Sequence, residues 1–370
     1  MQFRRVLFLN ENGRFSYGDV TAEKGLVTSV RFRNETPSAD ADYLIPGLID
    51  LHLHGCAGAD FCDGNESNLE RMSIFLKDEG VAGFCPATMS LPKEQLLSTL
   101  KKASGFSRKK APGAQMLGIT LEGPFLNPQK CGAQNPDYLA LPSIPLLEEL
   151  LSACEGQIRT VCLAPELPEA FSLVRHAVSK GIAVSLAHTA CDYDTAAAAF
   201  DAGVSRVTHL LNAMAPFHHR SPGVLGAAAE RETVAVELIG DGLHVHPSAV
   251  RLIFHLFGAN RICLISDSMA ACGLSDGKYI LGGQAVTVHN GRASLSDGTL
   301  AGSTKSLFEI LQTVIRMGVD PADAVISCTR TPAHRLGRLG EFGTIAPGRP
   351  ARLVLCSAHW ERKEVFFDAD

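Results

Sequence analysis

No stretch of this 370-residue chain reaches the roughly 18 uninterrupted apolar residues of a membrane-spanning helix, so no span is expected. Basic residues are not in excess either. Lys and Arg number 34 against 39 Asp and Glu, and the formal net charge of -5 lacks the electrostatic footprint of a nucleic-acid binder. The 11 cysteines contain no Cys-x-x-Cys pair. An odd count at irregular spacing argues against a disulfide framework and for free thiols in a reducing cytoplasm, most of them small core residues. Cys56 and Cys272 fall near the candidate site in sequence and are read the same way. The VLFLN stretch after Arg4 and Arg5 is too short for the apolar core of a signal peptide. No internal repeat, low-complexity tract or glycine-rich nucleotide loop is visible.

What is present is a chain that is 46% hydrophobic and 20% charged, enough to bury a large core. Eight short apolar runs recur: Leu48–Leu53, Gly83–Thr88, Met116–Leu121, Thr160–Ala164, Ala183–Ala187, Arg206–His209, Val234–Ile239 and Ile262–Ser266. Amphipathic stretches lie between them, such as Asn68–Glu79, Lys93–Ala103, Pro145–Ala153, Glu169–Lys180 and Tyr193–Ala202, with Gly80, Gly181 and Gly203 placed as C-terminal caps. Near-continuous apolar strands separated by helices predict a parallel sheet covered by helices, and eight such units predict a (β/α)8 TIM-like barrel. An open doubly wound sheet is the alternative, but it should carry a nucleotide loop after an early strand. Residues 1–45 and 340–370 look like short strands and turns that pair into one small β-sandwich beside the barrel at 46–339. A β-ribbon insertion is expected at about 279–296, around Gly282-Gly283 and Asn290-Gly291.

The chemistry-bearing residues cluster at the ends of these strands. PGLIDLHLHG ends in His52 and His54, two apart and so on one side of a strand. Glu122 ends the third run, His188 the fifth, His209 the sixth and Asp267 the eighth. Singly, His188 and His209 read as satisfied core histidines, Glu122 as a loop cap and Asp267 as a helix cap. In a barrel, however, all these ends meet on one face. Four imidazoles and two carboxylates there match the ligands of zinc or iron. His176, His255, His334 and His359 are read as structural.

The set PGLIDLHLHG, TLEGPF, LAHT, THLLNAM, HHRSPG, DGLHVHP, SDSM and LAGS resembles the amidohydrolase superfamily and, within it, the sugar-phosphate deacetylase branch, from about Pro46 to Ser303. GTIAPGRPARLVLC is similar to the superfamily's closing β-segment, with Arg352 where an aspartate is common. The resemblance implies Glu122, His188 and His209 as ligands of the main metal, in place of the carboxylated lysine of other relatives. It implies His52 and His54 as holders of a second metal with Asp267 close by, hence one or two divalent ions per subunit. Asp267 is the implied proton shuttle. Asn212, Ala213, Arg220, His244, Leu300, Ala301 and Gly302 are the implied substrate contacts, Arg220 and His244 as cationic partners of a phosphate. Where some members carry a histidine near the substrate carbonyl, KCGAQNP has Gln134, which can donate a hydrogen bond but cannot change charge.

The implied reaction is hydrolysis of the N-acetyl group of N-acetyl-D-glucosamine 6-phosphate, by a cytoplasmic homodimer. Three other readings stand beside it: the galactosamine epimer as substrate, a dihydroorotase- or deaminase-like reaction on a cyclic amide or base, and a non-catalytic sugar-binding barrel.

Overall fold

The computed structural model describes residues 1–109 and 113–367. Eight parallel strand segments follow the eight apolar runs: β1 (Leu48–Leu53), β2 (Val81–Pro86), β3 (Ile119–Glu122), β4 (Ile158–Leu163), β5 (Ala183–Leu186), β6 (Arg206–Val207), β7 (Ala235–Ile239) and β8 (Ile262–Ile265). They form two parallel sheets. One holds β3 to β8 in chain order; the other holds β1, β2 and the short strand Gln115–Met116. The sheets approach at both edges. Thr88 N donates to Thr120 O (3.0 Å) at one, and Asp267 N donates to His52 O (2.9 Å) at the other. All six residues of β1 and of β2 are buried, as strands covered on both faces require.

The five expected helices form at Glu66–Asp78, Lys93–Ser107, Ile144–Ala153, Ala170–Ser179 and Tyr193–Asp201. Their ends follow local chemistry. Asn65, Ser143 and Asp192 accept hydrogen bonds from first-turn amides, and Gly80 and Gly181 stop the chain with φ of 80° and 73°. In the helix Pro247–Phe257, Val250, Ile253, Phe254 and Phe257 are buried at helical spacing, so one stripe faces the sheet.

The chain ends meet in a single mixed sheet of six strands, in the order Arg362–Phe367, Arg352–Cys356, Tyr43–Pro46, Gln2–Leu9, Phe15–Glu23, Leu26–Phe32. Phe3, Phe8, Val20, Leu44 and Leu353 form its own core. The second layer expected of a β-sandwich is not among the sheets of the described residues, and residues 368–370 of the expected closing segment lie outside them. Arg352 lies over the Phe342 ring, 4.3 Å from its centroid, and so serves packing. The ribbon is present as three antiparallel strands, Gly277–Leu281, Gln284–His289 and Arg292–Ser294. Both of its turns place two residues at positive φ, as tight two-residue hairpins need: Gly282 and Gly283 in one, Asn290 and Gly291 in the other. Its strands reach the site, because Gln284 Nε2 donates to the Ala133 carbonyl.

Candidate metal centre and substrate cavity

Parallel strands bring their C-terminal ends to one place, and there the predicted side chains converge. His54, His188, His209 and Asp267 sit one or two residues past the ends of their strands rather than within them. The pleat stops early because three of these residues turn left-handed, with φ of 45° at His188, 30° at His209 and 47° at Asp267. Such backbone costs about 1–2 kcal/mol per non-glycine residue and is concentrated at functional sites.

Glu122 is the hub. Its Oε1 lies 3.0 Å from His209 Nε2 and 3.3 Å from His188 Nε2. Its Oε2 lies 3.5 Å from His52 Nε2 and 3.4 Å from His54 Nε2. Two three-residue groups able to hold a metal ion share it: His52, His54 and Glu122, and Glu122, His188 and His209. Asp267 Oδ1 faces the first group, 3.2 Å from His54 Nε2.

The outer nitrogens of three of these rings explain the orientation. His188 Nδ1 donates to Lys130 O (2.7 Å), His54 Nδ1 to Ala87 O (3.2 Å), and His52 Nδ1 to the Glu237 carboxylate (3.3 Å). These oxygens can only accept, so each Nδ1 carries the proton and each Nε2 presents a lone pair inward. His52 Nε2 is buried and lacks a hydrogen-bond partner. Inward lone pairs beside a carboxylate are the donor set of a divalent cation, so the residues present fit one.

The electrostatics agree. Burial, the largest influence on Glu122, opposes its ionisation, yet His52, His188 and His209 hold its carboxyl well below the usual range. Burial likewise lowers His54, but Asp267 and Glu122 outweigh it and raise the ring to about 9. Asp267 is pulled down by His54 and His52 against the effect of burial. Without an ion, His52 and His54 hold a proton more readily than usual, and a cation would replace it.

Beside this centre lies a cavity of ≈ 240 Å³ lined by His54, Glu122, Gln134, His188, His209, Asn212, Ala213, His244, Asp267, Leu300 and Gly302 among others. Gln134 Nε2 donates to Glu122 Oε2 (2.8 Å) and its Oε1 accepts from Ser90 N (2.6 Å), so the amide is already committed at both ends. Two expected residues lie elsewhere. Ala301 is fully buried behind the wall, and Arg220 is exposed, donating to His219 Nε2 (2.9 Å). Among the described residues Arg220 has no carboxylate partner, and its guanidinium stays in water.

Two functional residues escaped the sequence reading. Glu237 is a buried charge inside the apolar strand β7, and its cost there demanded a partner, which is His52. Asp241 accepts from His244 Nδ1 (2.8 Å) and from the amides of Leu243 and His244, fixing the ring toward the cavity. The Asp-x-x-His spacing of DGLH was the available signal. Burial lowers His244 but Asp241 outweighs it, so the ring holds a proton more readily than usual. Cys56 and Cys272 are buried with thiols pushed far up by burial, which makes them inert. The Glu237→Gln variant should lose about 10–100-fold in metal affinity, the usual cost of disturbing a residue that orients a ligand. Unchanged affinity in a competition titration against a chelator would remove Glu237 from this role.

The chain belongs to the Amidohydrolase family, whose model matches residues 43–369. Among curated relatives it is 36% identical over 367 residues to the N-acetylglucosamine-6-phosphate deacetylase of Bacillus subtilis (strain 168), covering 96% of this chain and 93% of that protein. It is equally 36% identical, over 342 residues, to the N-acetylgalactosamine-6-phosphate deacetylase of Escherichia coli O157:H7, covering 92% and 89%. Among solved structures it superposes with a TM-score of 0.91 at 31% identity on a mutant N-acetyl-D-glucosamine-6-phosphate deacetylase of Mycobacterium smegmatis in complex with N-acetyl-D-glucosamine-6-phosphate, covering 100% of this chain and 98% of that one. No helix among the described residues is long and apolar enough to cross a membrane.

Proposed function

We propose that this protein hydrolyses the N-acetyl group of N-acetyl-D-glucosamine 6-phosphate, releasing acetate and D-glucosamine 6-phosphate. The observation that carries this reading is the single cavity that holds Asp267, the Glu122–His188–His209 group and the half-buried His244 together. Glu122, His188 and His209 would hold the main divalent metal, zinc or iron, and His52 and His54 a second. Bound there, the ion supplies Lewis acidity that polarises the amide carbonyl and brings the pKa of water toward neutrality. Asp267 accepts the proton of the attacking water at its carboxylate and returns it to the departing amine nitrogen. Gln134 orients Glu122 through one N–H of its amide, leaving only the second N–H to donate to the developing oxyanion. Asn212 and His244 orient the sugar phosphate, with Asp241 keeping the imidazole charged.

The strands β1 to β8 are read as one closed (β/α)8 barrel, since hydrogen bonds join its two sheets at both edges. The segments 1–45 and 340–370 are read as its accessory β-unit. Phe217 and Leu243 are exposed and adjoin the stretches that carry Arg220 and His244. A second copy covering them would give the homodimer and bring Arg220 to a phosphate. The free, mostly buried thiols suit a cytoplasmic enzyme.

The equal identity to the Escherichia coli relative favours one second reading, the galactosamine epimer as substrate. Acetate release from both epimers, each with and without phosphate, decides between them. A preference for the galactosamine form reassigns the sugar; no release from any of the four sinks the deacetylase reading. On the phosphorylated substrate, His244→Ala and Arg220→Ala should each raise KM about tenfold or more, the cost of a charge-assisted hydrogen bond. On the phosphate-free analogue their KM should barely move. Equal effects on both substrates would remove them from phosphate binding.

A further inference from the structure

The parallel strands have a second pole. At their N-terminal ends, opposite the ends that present Glu122, His188 and His209, a cavity of ≈ 310 Å³ lies among Arg159, Arg206, Arg335 and Arg338. Arg159 is the second residue of β4, and Arg206 is the first of β6, three residues before His209. Arg335 and Arg338 come from the helix Arg330–Arg335 and the turn after it.

The charges in this cavity are poorly matched by the protein. Arg338 is paired with Glu341 at 2.5 Å. Among the described residues no carboxylate pairs with Arg159, Arg206 or Arg335. Arg206 is only 3% exposed, and its guanidinium has neutral partners: Thr160 Oγ1 at 3.0 Å and Arg335 O at 2.6 Å. Arg335 donates from Nη1 to Thr233 O (2.9 Å), while its Nε is buried without a partner. Burial, aided by the neighbouring Arg206 charge, lowers the pKa of Arg335. Buried guanidinium without a counter-charge is costly, and a fold retains it where something else supplies the negative charge. The Arg159 arm is also shaped for its place. Its stem lies against Gly118, where any added Cβ would come 2.1 Å from Arg159 Cγ.

We propose that this cavity is a second ligand site, which binds a small phosphate-bearing dianion on Arg159, Arg206 and Arg335. Planar guanidinium forks match phosphate oxygens in pairs, and three positive charges around one small cavity suit a doubly charged group. The small volume, ≈ 310 Å³, and the net charge of -5 disfavour a polymer such as nucleic acid. Inorganic phosphate and a sugar phosphate share this chemistry.

The test uses the metal-loaded protein. Inorganic phosphate is titrated by calorimetry into the wild type, His244→Ala, Arg159→Glu and Arg335→Met, with thermal melting to confirm that each variant is folded. Arg159 is exposed and makes no ion pair among the described residues, so its variant should fold even if that of the half-buried Arg335, Arg335→Met, does not. Phosphate binding should persist in His244→Ala and weaken about tenfold or more in Arg159→Glu, the loss of one charge-assisted contact. Glucosamine 6-phosphate titrated into the same His244→Ala protein identifies the source: tighter binding than phosphate points to the sugar phosphate, equal binding to the free ion. Tungstate soaked into crystals should give an anomalous peak among Arg159, Arg206 and Arg335. Phosphate binding that vanishes in His244→Ala and survives intact in Arg159→Glu overturns the proposal, as does tungstate found only at the catalytic pole.

Discussion

The Asp267→Asn protein is expected to fold, take up metal and bind substrate while its kcat falls by about 10³-fold, the middle of the range for a general acid–base group. The substitution is nearly isosteric, and asparagine tolerates the left-handed backbone at this position, where φ is 47°. What disappears is the carboxylate that faces His54 Nε2 at 3.2 Å, the one acid in the cavity outside both metal-holding groups. The check is steady-state kinetics alongside elemental analysis of the same sample. A kcat within a few-fold of wild type in fully metallated protein would remove Asp267 from proton transfer. Loss of metal along with activity would instead make it a ligand.

The Glu122→Gln protein is expected to lose both metal and activity, and at both positions together. One carboxylate serves two groups, Oε1 toward His188 and His209 and Oε2 toward His52 and His54. A carboxamide keeps the volume but offers one neutral acceptor oxygen, and its NH2 has no lone pair to give a cation. Replacing His52 and His54 together by Asn should take away only one ion, lowering metal content from about two to about one if both positions fill, as a structural reading of the donor sets requires. Elemental analysis separates the cases. Full metal content in Glu122→Gln would show that the two groups are not joined through this residue.

Much of this architecture was legible because burial imposes simple patterns. A strand covered on both faces must be apolar throughout, so the eight runs marked β1 to β8 to within a few residues. The site was legible for the same reason: His52, Glu122 and Asp267 are polar residues at the ends of apolar runs, where a solvated loop would begin. What could not be read is what depends on partners far along the chain. Glu237 went unread inside the apolar run of β7, because its partner His52 lies 185 residues away. The strand ends at His188 and His209 were placed too late, because a left-handed turn leaves no mark when the residue that adopts it is not glycine or asparagine. Arg220 was assigned by motif alone, and a motif fixes order along the chain without fixing where a surface loop points. Strands of the two terminal segments share one sheet, but alternation within a strand does not say how many layers its sheet has.

The left-handed residues have a further consequence for anyone engineering this enzyme. His188, His209 and Asp267 each hold a conformation that glycine would adopt without strain. Random mutagenesis followed by a heat-challenge screen would therefore reward glycine or asparagine at these three codons, since relieving backbone strain is among the easiest ways to gain stability. Each such winner would be a tougher protein with a dismantled centre. Selection for robustness here must be coupled to turnover at every round, or it will converge on an inert scaffold.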